Sequence, residues 1–269
     1  MTPDLPVADT RRDVSDDGRA PNVLLLGGTT EGTRLSWTLA ERRILGTVSM
    51  AGRVANPAAQ ALPLRVGGFG GVAGLGAYLR HERITHVIDA THPFAAQMSA
   101  NAVHACAVTG VPLIALTRAP WQETAQDRWQ RVPDIAGAVA ALGGKARRVM
   151  LAVGRMHLPE FTANPQNFYL LRLVDPPEAP PAFPDHHVIV DRGPFGLEGD
   201  MALLRKHRID VIVSKNSGGT GAFAKIEAAR TLGLPVIMID RPAIPARPEA
   251  HSEAEVLAWL AHVGTERGV

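Results

Sequence analysis

The run NVLLLGGTTEG at residues 22–32 constrains the fold more than any other part of the chain. Its apolar half predicts a buried strand, and the small residues that follow predict a tight turn into a helix. Such a turn is the layout of a phosphate site, because the free backbone N–H groups at a helix start bind anions. The candidate nucleotide-binding residues are Gly27, Gly28, Thr29, Thr30 and Gly32.

The match to the dinucleotide fingerprint is imperfect. That fingerprint places a second glycine two residues after the first, and Thr29 occupies this position, so only Gly27 and Gly32 fit. A tight strand-to-helix turn also recruits glycine and threonine for conformational reasons alone. From this stretch by itself, a purely structural turn remains an alternative to a nucleotide site.

Strands alternate with helices along most of the chain, first from residue 22 to 116 and again from about residue 136. This alternation predicts mostly parallel sheets covered by helices on both faces. We therefore expect an α/β protein made of two halves with a cleft between them. The predicted parts are a disordered extension at 1–20, a first domain at 21–118, a crossover at 119–133 and a second domain at 134–269.

Composition excludes several functional classes. A formal net charge of +2, with no basic run interleaved with aromatic residues, argues against a nucleic-acid surface. No apolar run is long enough for a membrane span, and the first twenty or so residues lack the apolar core of a signal peptide. The single cysteine, Cys106, excludes a multi-thiolate zinc site, and no cluster has metal-ligand spacing. We expect a cytoplasmic protein without a bound metal.

Ligands of open parallel sheets bind beyond the carboxyl ends of the strands, so the loops there are informative. The loop after the second strand contains Ser49 and Arg53, and no acid occurs from residue 44 to 62. A hydroxyl and an arginine suit the 2′-phosphate of NADP(H), whereas NAD enzymes usually offer an acid to the ribose. An ordinary surface arginine beside a glycine turn is the alternative.

The next two loops add further candidates. In GGFGG at 67–71, Gly68 and Gly70 would let the backbone pass close to a flat ligand, with Phe69 as a stacking face, although a flexible turn is an alternative. The fourth strand ends in DATHPFA at 89–95, which carries Thr91, His92, Pro93 and Phe94 into a helix start. His92 is the best-placed histidine for acid or positioning work, and a cap or packed neighbour is the alternative.

The second half carries the cationic candidates. Arg155, Arg172 and Arg192 could bind carboxylates bidentately, or instead pair with Asp175 or Asp191. The run SKNSGGTGAFAK at 214–225 resembles a second anion cradle, but it lacks the spacing of a Walker loop. Its candidate residues are Lys215, Asn216, Ser217, Gly218, Gly219 and Lys225.

Taken in order, these stretches resemble the precorrin-6A reductase family of cobalamin biosynthesis. The matching motifs are LLLGGTTEG, SMAGR, VGGFGG with Gly74 and Leu75, DATHPFA with Asn101, VPL with Arg118 and Trp121, DRGPF, SKNSGG and PVIMIDRP. The resemblance covers roughly residues 22–242, and several ordered motifs are far more specific than one.

This resemblance implies two Rossmann-like domains and reduction of one ring double bond of precorrin-6A, a polyacidic tetrapyrrole, to give precorrin-6B with NADPH. It also suggests residue roles. We expect residues 68–70 and 91–94 around the nicotinamide, Thr29 on the cofactor phosphates, and His92 or Lys215 assisting protonation. The residues expected to bind the macrocycle are Arg155, Arg192, Gly193, Lys215, Asn216, Ser217, Gly218, Gly219 and Lys225.

Three other functions compete with this one. An NADH-dependent cobalt-precorrin-6A reductase of the anaerobic pathway is the nearest alternative, and the Arg53 loop favours NADPH over it. A non-catalytic dinucleotide or tetrapyrrole binding module is the second. A methyltransferase is disfavoured because the second strand lacks the usual ribose-binding acid. We expect a monomer or a small homo-oligomer.

Overall fold

A computed structural model describes residues 20–52, 58–193 and 195–262. The predicted extension at 1–20 therefore lies almost wholly outside the described residues, as does Arg53. The strands are β1 (Asn22–Leu26), β2 (Leu45–Met50), β3 (Leu64–Val66), β4 (His86–Asp89), β5 (Leu113–Leu116), β6 (Trp129–Val132), β7 (Arg148–Ala152), β8 (Phe168–Leu173), β9 (Asp185–Val190), β10 (Val211–Lys215), β11 (Val236–Ile239) and β12 (Glu249–Ala250).

All but the last of the helices lie between these strands along the chain. They are α1 (Thr30–Glu41), α2 (Gly71–His81), α3 (Ala96–Thr109), α4 (Ile135–Leu142), α5 (Leu197–Lys206), α6 (Ala224–Leu232) and α7 (Glu253–His262), with short 3-10 turns at Arg155–His157 and Pro159–Ala163. None of the helices in the described ranges is long and apolar enough to cross a membrane.

The strands form two parallel sheets of six, with the orders β12-β5-β4-β1-β2-β3 and β6-β11-β10-β7-β8-β9. The predicted α/β class and parallel sheets are confirmed. In each sheet the order of strands reverses once, between β1 and β4 in the first sheet and between β7 and β10 in the second. Ligands of such folds bind outside the carboxyl ends of the strands at this reversal.

Burial explains why the central strands form. In β1, the residues Val23, Leu24, Leu25 and Leu26 are all buried, because the strand has a neighbour on each side and helices cover both faces of its sheet. The parallel register pairs Leu26 with Ser49 of β2 and also with Asp89 of β4. The carboxyl ends of these three strands therefore lie side by side.

The chain crosses between the two sheets twice. β6 falls within the predicted crossover at 119–133 and pairs with β11 at the edge of the second sheet. β12 pairs with β5 of the first sheet, and Val256 and Leu260 of α7 join the hydrophobic core around Leu35. Residues 249–262 thus complete the first sheet, whereas the predicted boundary assigned them to the second domain.

Candidate functional site

The turn after β1 contains one glycine that faces open space. Gly28 has a φ of +126°, and a Cβ atom there would meet no atom within 4 Å. By contrast, a Cβ on Gly27 would lie 3.1 Å from Val48, and one on Gly32 would lie 3.1 Å from Ala90. Gly28 is therefore the position where a ligand can approach the backbone, while Gly27 and Gly32 permit close packing.

Thr29 is the N-cap of α1. Its hydroxyl accepts a hydrogen bond from the Gly32 N–H at 3.1 Å and donates one to the Ala90 carbonyl at 2.8 Å. A phosphate oxygen would need the hydroxyl hydrogen that Ala90 already receives. The backbone N–H groups at the start of α1 are thus better suited to a phosphate than the Thr29 side chain.

Beside the end of β2 lies an arginine of β3 that sequence analysis did not single out. Arg65 of β3 lies opposite Ser49 in the parallel register and donates to the Ser49 hydroxyl at 3.2 Å. It also donates to the carbonyl oxygens of Gly67 at 2.6 Å and Gly68 at 2.7 Å. Its guanidinium carbon lies 3.8 Å from the centre of the Phe69 ring.

The glycine loop at residues 67–71 is shaped by packing as well as by open space. A Cβ on Gly68 or Gly70 would meet no atom within 4 Å, but a Cβ on Gly74 would lie 1.7 Å from the Phe69 carbonyl oxygen. The Phe69 ring packs edge-on against Tyr78 at 5.1 Å, so one edge and one face already have neighbours. This packing restricts its predicted role as a ligand-stacking face.

The strand order sets the distance between two loops that were both predicted to contact the nicotinamide. The loops at 67–71 and 91–94 follow β3 and β4, which are three strand positions apart in the sheet. At the usual strand spacing, that separation is about 14 Å. The two loops therefore start well apart, and their predicted joint placement around the nicotinamide stays a prediction.

The loop after β4 is held by a buried carboxylate. Asp89 accepts hydrogen bonds from the Thr91 N–H at 3.1 Å and from the Thr91 hydroxyl at 2.7 Å. Its other oxygen lies 3.7 Å from Arg247, and the two side chains are only 1% and 8% exposed. Arg247 comes from the segment before β12, so the end of the chain supports the β4 loop.

His92 is a neutral imidazole. Burial lowers its pKa to about 3, assisted by the positive charges of Arg118, Lys215, Arg241 and Lys225. The Phe94 N–H donates to Nδ1 at 3.2 Å, which leaves the ring hydrogen on Nε2. At neutral pH the ring therefore has no imidazolium proton to give, contrary to the expected role in protonation, although Nε2–H can donate a hydrogen bond.

The two halves meet at this loop. Phe94 packs against the core of the second sheet, and the Lys215 ammonium lies 5.2 Å from the centre of its ring. On the same side of the molecule, Arg118 lies 3.4 Å from the Glu31 carboxylate in the first turn of α1. The carboxyl ends of β1, β4 and β10 therefore border one shared region.

The run at 214–225 serves mainly to hold the crossover. The side chain of Asn216 accepts a bond from the Trp121 N–H at 2.8 Å and donates to the Trp121 carbonyl at 3.0 Å. A Cβ on Gly218 would lie 2.2 Å from the Ala119 carbonyl oxygen, and one on Gly219 would lie 2.4 Å from Arg118. These three residues pack against the crossover, and their predicted contact with the substrate stays a prediction.

Arg241, at the start of the second crossing, completes this arrangement. Its guanidinium donates to the carbonyl oxygens of Asn216 at 3.0 Å, Arg118 at 2.7 Å and Ser217 at 3.1 Å. The predicted substrate residue Ser217 is buried beneath it, and its hydroxyl lies 3.4 Å from the Lys215 carbonyl. Arg241 thus ties both crossings to the end of β10.

Lys225 is buried rather than directed at solvent. It donates to the Ala222 carbonyl at 2.6 Å and lies 4.9 Å from the Trp121 ring. Burial, with the nearby charge of Arg172, lowers its pKa to about 7. The buried ion pair of Arg172 with Asp200 lies beside it, so Lys225 belongs to the interior of the second half. Its predicted contact with substrate does not fit this position.

The remaining predicted cations lie at the ends of β7 and β9. Arg155 follows β7 and is 3.7 Å from the exposed Glu178. Arg192 pairs with Asp175, which was the alternative interpretation of this arginine. Gly193 has a φ of +68° and packs against Phe195. Arg155 and Arg192 thus each have an acidic partner in the second half.

Together these side chains make the shared region positive. Arg118, Lys215, Arg241 and Lys225 all act on His92 electrostatically. Partly buried cations raise the local concentration of anionic ligands even where the protein is nearly neutral overall. The region thus joins the open turn at Gly28 to a positively charged surface. Among the described residues, no three His, Cys, Asp or Glu side chains are grouped so that they could hold a metal ion.

Comparisons with known proteins identify the family. Residues 22–261 match the model of the family described as precorrin-6x reductase CbiJ/CobK. The precorrin-6A reductase of Rhodobacter capsulatus is 59% identical and covers 92% of this chain and 99% of that protein. The cobalt-precorrin-6A reductase of Priestia megaterium is 34% identical over 62% of this chain and 69% of that protein.

A solved structure supports the same assignment. The structure described as CobK precorrin-6A reductase superposes with a TM-score of 0.87 at 58% identity, covering 93% of this chain and all of that one. A family match over nearly the whole chain and a high-identity structural match point the same way. The chain belongs to the precorrin-6x reductase family of oxidoreductases.

Proposed function

We propose that this protein reduces a ring double bond of precorrin-6A to give precorrin-6B in cobalamin biosynthesis, with NADPH as the hydride donor. The observation that carries the proposal is the adjacency of two features at neighbouring strand ends. The open turn at Gly28 follows β1, and the cation-lined region around His92 follows β4. A dinucleotide bound at the first would reach an acidic macrocycle at the second.

The residues present fit such a cofactor. Gly28 leaves room for a pyrophosphate, and the N–H groups that begin α1 supply its anion site. By the usual binding geometry of such folds, we expect the adenosine near the end of β2 and the loop at 67–71, and the nicotinamide near the loop at 91–94. When bound, the nicotinamide supplies the hydride.

The chain's own residues position the reactants. Asp89 holds Thr91, and Phe94 packs across the junction of the two halves, so the 91–94 loop has a defined shape. Hydride transfer depends chiefly on such positioning. The acetate and propionate groups of the macrocycle would meet the positive region, with Lys215 and Arg155 as the candidate direct contacts.

The reduction also consumes a proton. His92 is neutral at pH 7 and can donate a hydrogen bond through Nε2. We assign the proton donor to Lys215, whose ammonium lies beside Phe94 where the halves meet. Replacing Lys215 by methionine should lower the single-turnover rate by about 100-fold or more, whereas His92→Gln should act mainly on binding.

The nearest alternative is reduction of cobalt-precorrin-6A with NADH. The higher identity to the Rhodobacter capsulatus enzyme supports the metal-free substrate, and Arg65 beside Ser49 favours NADPH. A non-catalytic binding module is the other alternative. We further propose that the protein acts in the cytoplasm as a monomer or small homo-oligomer.

One experiment separates these functions. The purified protein is mixed with precorrin-6A and NADPH that carries deuterium at both C4 positions of the nicotinamide, and the mass of the product is measured by mass spectrometry. We expect one deuterium in the product and stoichiometric loss of NADPH. Binding without cofactor oxidation would indicate a carrier, and faster turnover with NADH and cobalt-precorrin-6A would reverse the branch assignment.

A further inference from the structure

Arg65 occupies the place where Rossmann folds distinguish their dinucleotides. The residue that contacts the adenosine ribose lies near the end of the second strand, about 20 residues after the first glycines. Ser49 holds this position in β2, and its carbonyl accepts the Gly27 N–H at 2.9 Å. Arg65 lies directly beside Ser49 in β3, so its guanidinium flanks the expected ribose site.

The hydrogen bonds of Arg65 fix its orientation without exhausting its donors. Both terminal nitrogens are engaged, by Ser49 and by the carbonyls of Gly67 and Gly68, and the Phe69 ring supports one face. A guanidinium has more N–H groups than these bonds use. Arg65 has no carboxylate partner within 4.0 Å among the described residues, so its charge is not neutralised by an ion pair there.

We infer that Arg65 binds the 2′-phosphate of NADPH and thereby selects NADPH over NADH. The inference rests on the proposed dinucleotide cofactor and names the residue that sets its specificity. Ser49 is buried under Arg65, so Ser49 orients the guanidinium and Arg65 presents the charge. Guanidinium groups bind phosphates through paired, charge-assisted hydrogen bonds.

A purely structural role for Arg65 predicts different binding. If Arg65 only shaped the loop at 67–71, its loss would weaken every adenosine ligand equally. If it binds the 2′-phosphate, only ligands that carry this phosphate should weaken. Two probes that differ by that group alone therefore separate the roles: adenosine 2′,5′-bisphosphate and adenosine 5′-monophosphate.

The experiment measures the affinity of both probes by calorimetry for the full-length protein and four variants. Arg65→Met removes the charge, and Arg65→Lys keeps it without the paired geometry. Arg80→Met serves as the matched control, because Arg80 is an exposed arginine on α2 of the same half. Arg53→Met tests the arginine that sequence analysis favoured.

We expect Arg65→Met to weaken the bisphosphate about 10- to 150-fold, the range of a hydrogen-bonded charge contact, and to change the monophosphate less than about twofold. Arg65→Lys should lose less affinity than Arg65→Met, and again only for the bisphosphate. If Arg65→Met does not fold, the affinities of Arg65→Lys for the two probes test the role of Arg65. Arg80→Met should match the wild type.

Two results would overturn the inference while leaving the proposed function intact. One is equal weakening of both probes in the Arg65 variants, and the other is a bisphosphate-specific loss in Arg53→Met with none in Arg65→Met. If the wild-type protein itself bound both probes equally, the proposed NADPH preference would fail together with the inference.

Discussion

The buried pair of Asp89 and Arg247 gives a quantitative prediction about how the end of the chain supports the site. Arg247→Met leaves the Asp89 carboxylate, 1% exposed, without its cationic partner. Removing one member of a buried pair usually lowers the free energy of unfolding by about 3–5 kcal/mol. We expect a loss in that range.

The geometry supports a loss of this size. At the observed N···O distance of 3.7 Å, the attraction between the charges is about 4 kcal/mol at an effective dielectric constant near 20. Asp89→Asn removes the charge but keeps an oxygen that can accept from Thr91. The double variant Asp89→Asn/Arg247→Met should therefore be more stable than Arg247→Met alone.

Urea denaturation of the four proteins in this double-mutant cycle measures the coupling. We expect a coupling energy of about 1–3 kcal/mol between the two positions. A matched control is the exposed pair of Arg131 and Asp240, whose coupling should be below about 1 kcal/mol. Effects of Asp89→Asn and Arg247→Met that simply add would refute the reasoning.

Three further predictions concern single residues. Thr29→Val removes the cap of α1 and should lower the free energy of unfolding by about 0.5–2 kcal/mol in urea denaturation, whereas Thr29→Ser should retain most of it. His92 titrates near pH 6.5 in the unfolded chain and about 3 in the folded one, so the unfolded state binds more protons between these values. The stability of the wild type should therefore fall as the pH drops from 6.5, and His92→Gln should reduce this slope by up to about 1.4 kcal/mol per pH unit. The pKa of Lys225 is lowered from 10.5 to about 7 on folding, so the wild type should gain stability as the pH rises between these values. Lys225→Met should abolish that gain and raise the melting temperature at pH 7. If His92→Gln or Lys225→Met left the pH dependence of stability unchanged, the lowered pKa of the residue replaced would be contradicted.

Much of the fold follows from local patterns. The apolar runs of β1 and β10 and the helices between strands were predictable, because burial in a parallel sheet imposes those patterns locally. The two strands that were missed depend on distant partners. β12 is only two residues long and forms because β5 offers an edge, while β6 is an edge strand with polar residues in its centre.

Parts of the site formed by residues close together in the sequence could be predicted. Parts formed by contacts between distant residues could not. The open turn at Gly28 follows from a strand, two glycines and a helix. The glycines of SKNSGG resembled an anion cradle, yet Gly218 is required because the Ala119 backbone passes beside it, a contact between residues far apart in the chain. The sequence shows that Arg65 lies in a predicted strand, but only the sheet register shows that it lies beside Ser49.

The return of β12 to the first sheet has a consequence for the order in which the protein can fold during synthesis. β5 leaves the ribosome long before its neighbour β12, since the entire second sheet is made between them. Until residues 249–250 emerge, β5 remains an unprotected edge and Asp89 lacks Arg247. Unpaired strand edges promote aggregation, and late, long-range pairing slows folding. The first sheet, which begins to be synthesised before the second, is thus completed after it.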